Sequence, residues 1–358
     1  MFYTFAKIIE LFSTANPPRL SVSEIESLIL SGRLPKPHKG RGGFGFKSQD
    51  IRKVGEELSR LPRPSQPVVA SLFVTKGGVL KTTLTLNFAR LLALHGVQTL
   101  VIGLDLQGDI TTALGHQYIS NSETLEAALE DIDKTNGLYD YFSGQIGLND
   151  VILKTDLETL DYIPETPELM ALEQQLNLKS RREYWLSDKV IEPLKRKYQV
   201  ILLDCSPNWS QLITNALTAS SVVISPIECR INNYRNLRMF RSLVSQFQKD
   251  LHLNFQHIFI PTRLQQNRKL SREIGQWYKE NVPGCVVEAV RESIQGEEAT
   301  ALHLSLLEHQ PHSDAGQEFQ KLFLEVWNLI LSGRREINQV KDSKWQLDSI
   351  KSVNVQKA

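Results

Sequence analysis

Residues 68–95 constrain this chain more than any other stretch. An apolar run, Val68 to Val74, passes through Thr75-Lys-Gly-Gly-Val-Leu-Lys-Thr-Thr83 into an amphipathic segment, Leu84 to His95. A buried strand that ends in paired glycines and re-enters a helix at Lys-Thr-Thr turns its backbone N–H groups toward one point. Gly77 and Gly78 allow that turn, Lys81 adds a positive charge, and Thr82 offers a hydroxyl suited to Mg²⁺. The stretch reads as a cradle for nucleotide phosphates, set in an open α/β sheet whose parallel strand ends gather round the ligand.

The spacing departs from G-x-x-x-x-G-K-[ST], because Leu80 stands where a glycine precedes the lysine. The segment Lys76-Gly-Gly-Val-Leu-Lys-Thr-Thr83 instead resembles the deviant loop K-G-G-x-x-K-[ST] of the ParA/MinD class of ATPases, in which a second lysine, here Lys76, opens the loop. For the loop alone the alternative is a plain strand-to-helix turn. The resemblance implies that Lys76, Gly77, Gly78, Val79, Leu80, Lys81, Thr82 and Thr83 contact the nucleotide and that Thr82 reaches Mg²⁺.

Two carboxylates follow in the same order as in that family. Val101-Ile-Gly-Leu-Asp-Leu-Gln-Gly-Asp-Ile-Thr-Thr-Ala-Leu-Gly115 resembles the ParA segment D-x-D-P-Q-G-N-A-T, with Gly103 at the first aspartate and Leu106 at the proline. Asp105 ends the apolar strand Thr99–Leu104 and should face the phosphates; the resemblance gives it the attacking water to orient, with Lys76 and Lys81 as its catalytic companions. The alternative for Asp105 is a cap on the next turn. Tyr198-Gln-Val-Ile-Leu-Leu-Asp204 is an apolar strand ending in a carboxylate, the Walker B pattern, and places Asp204 on Mg²⁺ through water beside Thr82. Val222–Glu228 and His257–Arg263 read as further strands, and the end of the latter puts Pro261, Thr262 and Arg263 at the lip of an adenine site. Residues 121–197 read as mostly helical, with a strand at Leu160–Ile163 and a helix opened by Thr166-Pro167. An amphipathic helix from about Asp314 to Leu331 precedes a polar tail.

Residues 1–63 carry eleven Lys and Arg against six Asp and Glu, a local excess hidden in a net charge of +1. Thr4–Leu11 has helical periodicity, and Ser21-Val-Ser-Glu24 is a capping box opening the helix Ile25–Leu30. Gly40-Arg-Gly-Gly-Phe-Gly-Phe-Lys47 predicts a hairpin with basic edges, and a helix capped at Ser48 runs to about Leu61. This order resembles the MerR-type winged helix-turn-helix, notably in Ser31-Gly-Arg-Leu-Pro-Lys-Pro37 and Gly43-Phe-Gly-Phe-Lys-Ser-Gln-Asp-Ile51. The resemblance puts the helix Ser23–Ser31 in a major groove and Arg33, Lys36, Lys39, Arg41 and Lys47 on DNA phosphates. The alternative is a small helical dimerisation module with solvated lysines. A second basic group, Arg263, Arg268, Lys269 and Arg272, joins Arg291 in a stretch resembling the ParA segment whose arginine contacts DNA. Together they would form a non-specific phosphate-binding face; the alternative is a solvated helix surface.

The expected architecture is α/β: a mostly parallel, doubly wound P-loop sheet with helices on both faces over residues 68–332, preceded by a small, mainly helical winged helix-turn-helix over 1–63. A proline-rich linker at 64–67 and a polar tail at 333–358 complete it. Cys205, Cys229 and Cys285 lie far apart with no C-x-x-C pair, against a disulfide framework, structural zinc or a cluster. No apolar run of about 18 residues and no signal peptide is visible, so a cytoplasmic, nucleoid-associated protein without a membrane contact is expected. The resemblance implies ATP and ADP with Mg²⁺, and a homodimer closed face to face so that Lys76 of each subunit reaches the other's phosphates. It also implies DNA binding, slow hydrolysis stimulated by a ParB-like centromere-binding protein, and a role in plasmid or chromosome partition with operator binding. A nucleotide-sensing repressor with negligible hydrolysis is the alternative favoured by Leu80 and Gly103. A MinD-like membrane switch would need a strongly amphipathic C-terminal helix, whereas Val340–Val355 is broken by Asp342, Asp348 and Lys351.

Overall fold

The computed structural model describes residues 1–12, 20–115, 135–291 and 293–333. The turn expected between the first two helices, part of the 121–197 stretch and the tail containing Val340–Val355 lie outside these residues.

Seven strands form one sheet in the order β10-β9-β4-β8-β5-β7-β6. They are β4 (Val68–Leu72), β5 (Thr99–Leu104), β6 (Leu153–Lys154), β7 (Leu160–Ile163), β8 (Val200–Cys205), β9 (Val222–Glu228) and β10 (Gln256–Thr262). All neighbours pair in parallel except β6 with β7. The central strands β4, β5 and β8 are buried at every position, as two-sided coverage requires of a parallel sheet. Their alternate residues feed two separate cores: Val68, Ala70 and Leu72 face one, Val69 and Phe73 the other.

The P-loop helix α4 (Lys81–Leu94) and the C-terminal helix α13 (Asp314–Ser332) cover the first face, where Phe88 packs on Phe319 and Phe323. The sequence suggests an amphipathic α4, but from Leu84 to Leu94 every residue is buried. It is sandwiched between the sheet, α13 and the N-terminal module. Helices α7 (Leu169–Leu176), α8 (Gln211–Ala219) and α9 (Asn233–Asp250) belong to the second face. The helix expected at Thr166-Pro167 starts two residues later, at Leu169. Thr166 does not cap it; its hydroxyl is buried with no hydrogen-bond partner.

Residues 1–58 run β1 (Phe2–Thr4), α1 (Phe5–Phe12), α2 (Val22–Leu30), β2 (His38–Gly40), β3 (Gly43–Lys47) and α3 (Ile51–Leu58). The Ser21–Glu24 capping box forms in full. The predicted hairpin is β2 with β3, and β1 adds a third antiparallel strand beside β3 that the sequence does not announce. This module shares the first core: Ile8, Phe12, Ile25, Ile51 and Val54 are buried in the same cluster as α4 and α13. The stretch after α3, residues 59–67, forms no helix or strand, and it is pinned just before the proline-rich segment 64–67. Leu61 is buried, Trp327 Nε1 donates to Pro62 O at 2.9 Å, and Arg63 donates to His95 O at 2.7 Å.

Candidate functional site

The carboxyl ends of β4, β5, β8 and β9 converge on the loop Val74–Leu80. Gly78 takes φ +69° where the chain reverses, which glycine adopts without cost. Leu80 takes φ +74° and ψ +26° as the residue before α4, so the left-handed conformation of a phosphate loop is kept by a side chain that disfavours it.

Lys81 is almost fully buried and donates to Lys76 O at 3.2 Å. Burial lowers its pKa, and the nearby carboxylates Asp204 and Asp105 oppose that shift. Asp204, at the end of β8, receives the Thr82 hydroxyl at 2.8 Å and the Thr85 hydroxyl at 2.6 Å. Its carboxyl is buried, which pushes its pKa up to about 6 against the lowering effect of both hydroxyls and Lys81. A hydroxyl and a carboxylate side by side at the mouth of the loop are hard oxygen donors suited to Mg²⁺, which keeps most of its shell for water and phosphate. A carboxyl whose burial outweighs the compensation from Lys81 and two hydroxyls is also one whose ionised form a cation would favour. Among the described residues no cluster of three or more His, Cys, Asp or Glu side chains could hold a metal.

Asp105 follows β5 on the same edge of the sheet and accepts from Gln107 N at 3.2 Å. Lys76 points within its own chain: Nζ is paired with the Glu228 carboxylate and donates to Asn233 Oδ1 at 2.6 Å. Pro261 and Thr262 are buried at the end of β10, where Pro261 O accepts from Val290 N at 2.9 Å. Arg263, at φ +51°, lies 3.5 Å from Glu228 Oε1. A cavity of about 70 Å³ opens beside α4, lined by Leu80, Thr83, Asn87, Arg263, Val290 and Arg291 among others.

The structure splits the second basic group. Arg268, Lys269 and Arg272 are exposed at the start of α10 (Lys269–Asn281), while Arg263 and Arg291 line the cavity and Arg291 is paired with Glu318. In the N-terminal module Arg33, Lys36, Lys39, Arg41 and Lys47 are all exposed, with Arg33 paired to Glu57. The solvent-facing residues of α2 are acidic or neutral, Val22, Ser23, Glu24, Glu26, Ser27 and Leu30, so the cations of this module that were expected on DNA lie on the hairpin and its flanks.

Sequence reasoning missed Thr85, Glu228 and Asn233 in this site. Thr85 stands one helical turn after Thr82 on the same face of α4 and could have been read from that spacing. Glu228 and Asn233 meet Lys76 across more than 150 residues of chain, which no local pattern reveals.

A parallel sheet with a glycine-rich loop, a buried lysine and a hydroxyl–carboxylate pair at its strand ends defines a P-loop nucleotide-binding protein of the α/β class. Residues 68–257 match the AAA domain family, and the chain belongs to it. It is similar to the sporulation initiation inhibitor protein Soj of Bacillus subtilis, 27% identical over 256 residues that cover 70% of this chain and 94% of that protein. The chromosome partitioning protein ParA of Caulobacter vibrioides is 28% identical over 256 residues, 70% of this chain and 90% of its own. In fold the chain resembles a putative plasmid partition protein of Borrelia burgdorferi solved with AMPPNP, at TM-score 0.58 and 22% identity, covering 74% of this chain and 99% of that one. Residues 1–67 precede the span matched to the family. Among the described residues no helix is long and apolar enough to cross a membrane.

Proposed function

We propose that this chain is a ParA-type partition ATPase: it binds ATP, closes as a homodimer on DNA, and is released by hydrolysis. The observation that carries the reading is the Thr82–Asp204 pair, 2.8 Å apart at the mouth of a loop whose lysine, Lys81, is already buried against it. Partition proteins among its relatives and structural neighbours support the choice of process.

Lys81 and the amides of residues 77–83 bind the phosphates, while Thr82 and Asp204 would hold Mg²⁺, directly and through water. Mg²⁺, when bound, neutralises charge on the phosphate oxygens. Asp105 orients the attacking water. Lys76, freed from Glu228, reaches across to the partner subunit's nucleotide and stabilises charge on the transferred phosphoryl oxygens. Leu80, Thr83 and the Arg263 side of the cavity receive the nucleoside end. Arg268, Lys269 and Arg272 contact DNA phosphates, and the hairpin cations Lys36, Lys39, Arg41 and Lys47 add an operator contact. A centromere-binding protein of the ParB kind accelerates turnover, and the complex acts on the nucleoid.

The test is retention on operator-free DNA with ATP, ADP or no nucleotide over a salt series, beside ATP turnover. Binding that requires ATP, falls steeply with salt and disappears in Lys76→Ala and Lys81→Ala is the expected result. Binding indifferent to nucleotide and lost only in Lys39→Ala/Arg41→Ala/Lys47→Ala would make the chain a repressor instead.

A further inference from the structure

Strands β5 and β7 are parallel neighbours, paired from Thr99↔Leu160 to Ile102↔Ile163, and both end at the phosphate edge of the sheet. On its other side Gly103 pairs with Asp204. Glu165, two residues beyond β7, turns its side chain back over Gly103. A Cβ at residue 103 would overlap Glu165 Cγ and lie 3.0 Å from its Oε1. The carboxyl of Glu165 therefore fills the volume that a side chain on residue 103 would need. In the segment that Val101–Gly115 resembles, an aspartate stands at position 103.

The bonds made by this carboxyl all go to the segment that carries Asp105. Oε1 accepts from Asp105 N at 3.2 Å, and Oε2 accepts from Thr111 N at 3.3 Å and Thr111 Oγ1 at 3.2 Å. The Thr111 hydroxyl in turn accepts from Glu165 N at 2.8 Å. One side chain thus clamps both ends of residues 105–111, the loop and first turn of α5 (Asp109–Ala113). Only 4% of Glu165 is exposed, and it lies near two further acids. Burial, with Asp204 and Asp105 nearby, raises its pKa to about 8 despite the hydrogen bonds that favour ionisation. A third acid beside Asp204 and Asp105 carries a desolvation and like-charge cost that a neutral side chain would not.

We propose that Glu165 is a positioning residue for ATP hydrolysis: it supplies from β7 the carboxyl that Gly103 leaves out of β5, and it holds Asp105 where it orients the attacking water. The inference rests on the ATPase reading. It predicts that the carboxyl can be moved between the two strands but not doubled or removed.

The test compares the wild type with Glu165→Gln, Glu165→Ser, Gly103→Asp and the exchange Gly103→Asp/Glu165→Ser. Turnover and affinity for a fluorescent ATP analogue are measured on folded protein, verified by circular dichroism. Each single variant should lose turnover, by up to about 100-fold for a misplaced Asp105, while nucleotide affinity stays within about 3-fold, because the phosphate loop is untouched. The exchange should recover turnover well above either Gly103→Asp or Glu165→Ser. Protection of the 105–111 amides from hydrogen exchange should fall in Glu165→Ser and return in the exchange. An active wild type with equally active Glu165 variants, or an exchange no better than its parent singles, overturns the proposal and leaves the ATPase reading standing. A wild type whose turnover does not exceed that of Lys81→Ala overturns both.

Discussion

Leu80 shows how a residue can break a sequence pattern while its backbone keeps it. Its φ of +74° is the conformation the missing glycine would adopt freely. For leucine that conformation costs about 1–2 kcal/mol, and its side chain lines the cavity with Thr83 and Leu84. Leu80→Gly removes the strain but adds freedom to the unfolded chain, so its thermal midpoint should stay within about 3 °C of the wild type. Leu80→Val, β-branched at positive φ, should unfold at a clearly lower temperature than either. A Leu80→Gly variant that melts as low as Leu80→Val would show that packing, and not backbone strain, governs the position. The loop was legible in the sequence because phosphate binding is a local matter of glycines, lysine and hydroxyl within ten residues. Glu165 was not, since the Gly103 it packs over lies more than sixty residues away in the chain; the visible sign was the absent side chain at Gly103.

Helix α4 joins the loop to the N-terminal module through apolar packing and through a buried polar network in which both reach Glu308. Arg90, fully buried, donates to Glu308 at 2.7 and 2.9 Å and to Asp156 at 2.8 Å, and Tyr3 from β1 donates to Glu308 at 2.7 Å. Arg90 holds the Glu308 carboxyl down to about 2. The same helix ends where α3 crosses it so closely that a Cβ on Gly55 would overlap the carbonyl oxygen of Leu94. Alanine inside a helix normally gains about 1 kcal/mol over glycine. Gly55→Ala should instead lose more than about 2 kcal/mol in urea unfolding, because backbone atoms cannot step aside as a side chain can. Equal or greater stability would mean that the module packs more loosely on α4 than this crossing implies. The sheet strands were readable as apolar runs ending in chemistry. The docking of α3 on α4 was not, because an arginine and a glycine inside helical patterns look like solvent-facing and helix-weakening residues until their partners are known.

At the scale of the molecule, the module and the nucleotide-binding sheet share one core, and His95 sits in the seam. Its ring stacks on Phe323, meets Phe12 edge-on, and its Nδ1 lies 2.9 Å from Ser59 Oγ. Burial, aided by Arg63, lowers its pKa to about 3, so it is neutral when folded. Unfolded, it titrates near 6.5. A depressed histidine contributes stability that is complete above pH 6.5 and is lost as pH falls toward 3. His257, also pushed down to about 3, carries the same sign. Glu165 at about 8 and Asp204 at about 6 carry the opposite one, since their raised values favour the folded state as pH falls toward their unfolded values near 4. These effects have opposite signs, so the pH profile of the wild type alone does not isolate the seam. The difference between wild type and His95→Gln can. That difference should shrink by about 1.4 kcal/mol for each pH unit below about 6, measured by urea unfolding at pH 7.5, 6 and 5. If it does not change with pH, His95 is not buried neutral, and the seam between the N-terminal module and the nucleotide-binding sheet is open to water. A closed seam makes the N-terminal module move with α4 as one body, so that its basic hairpin is carried with the phosphate loop.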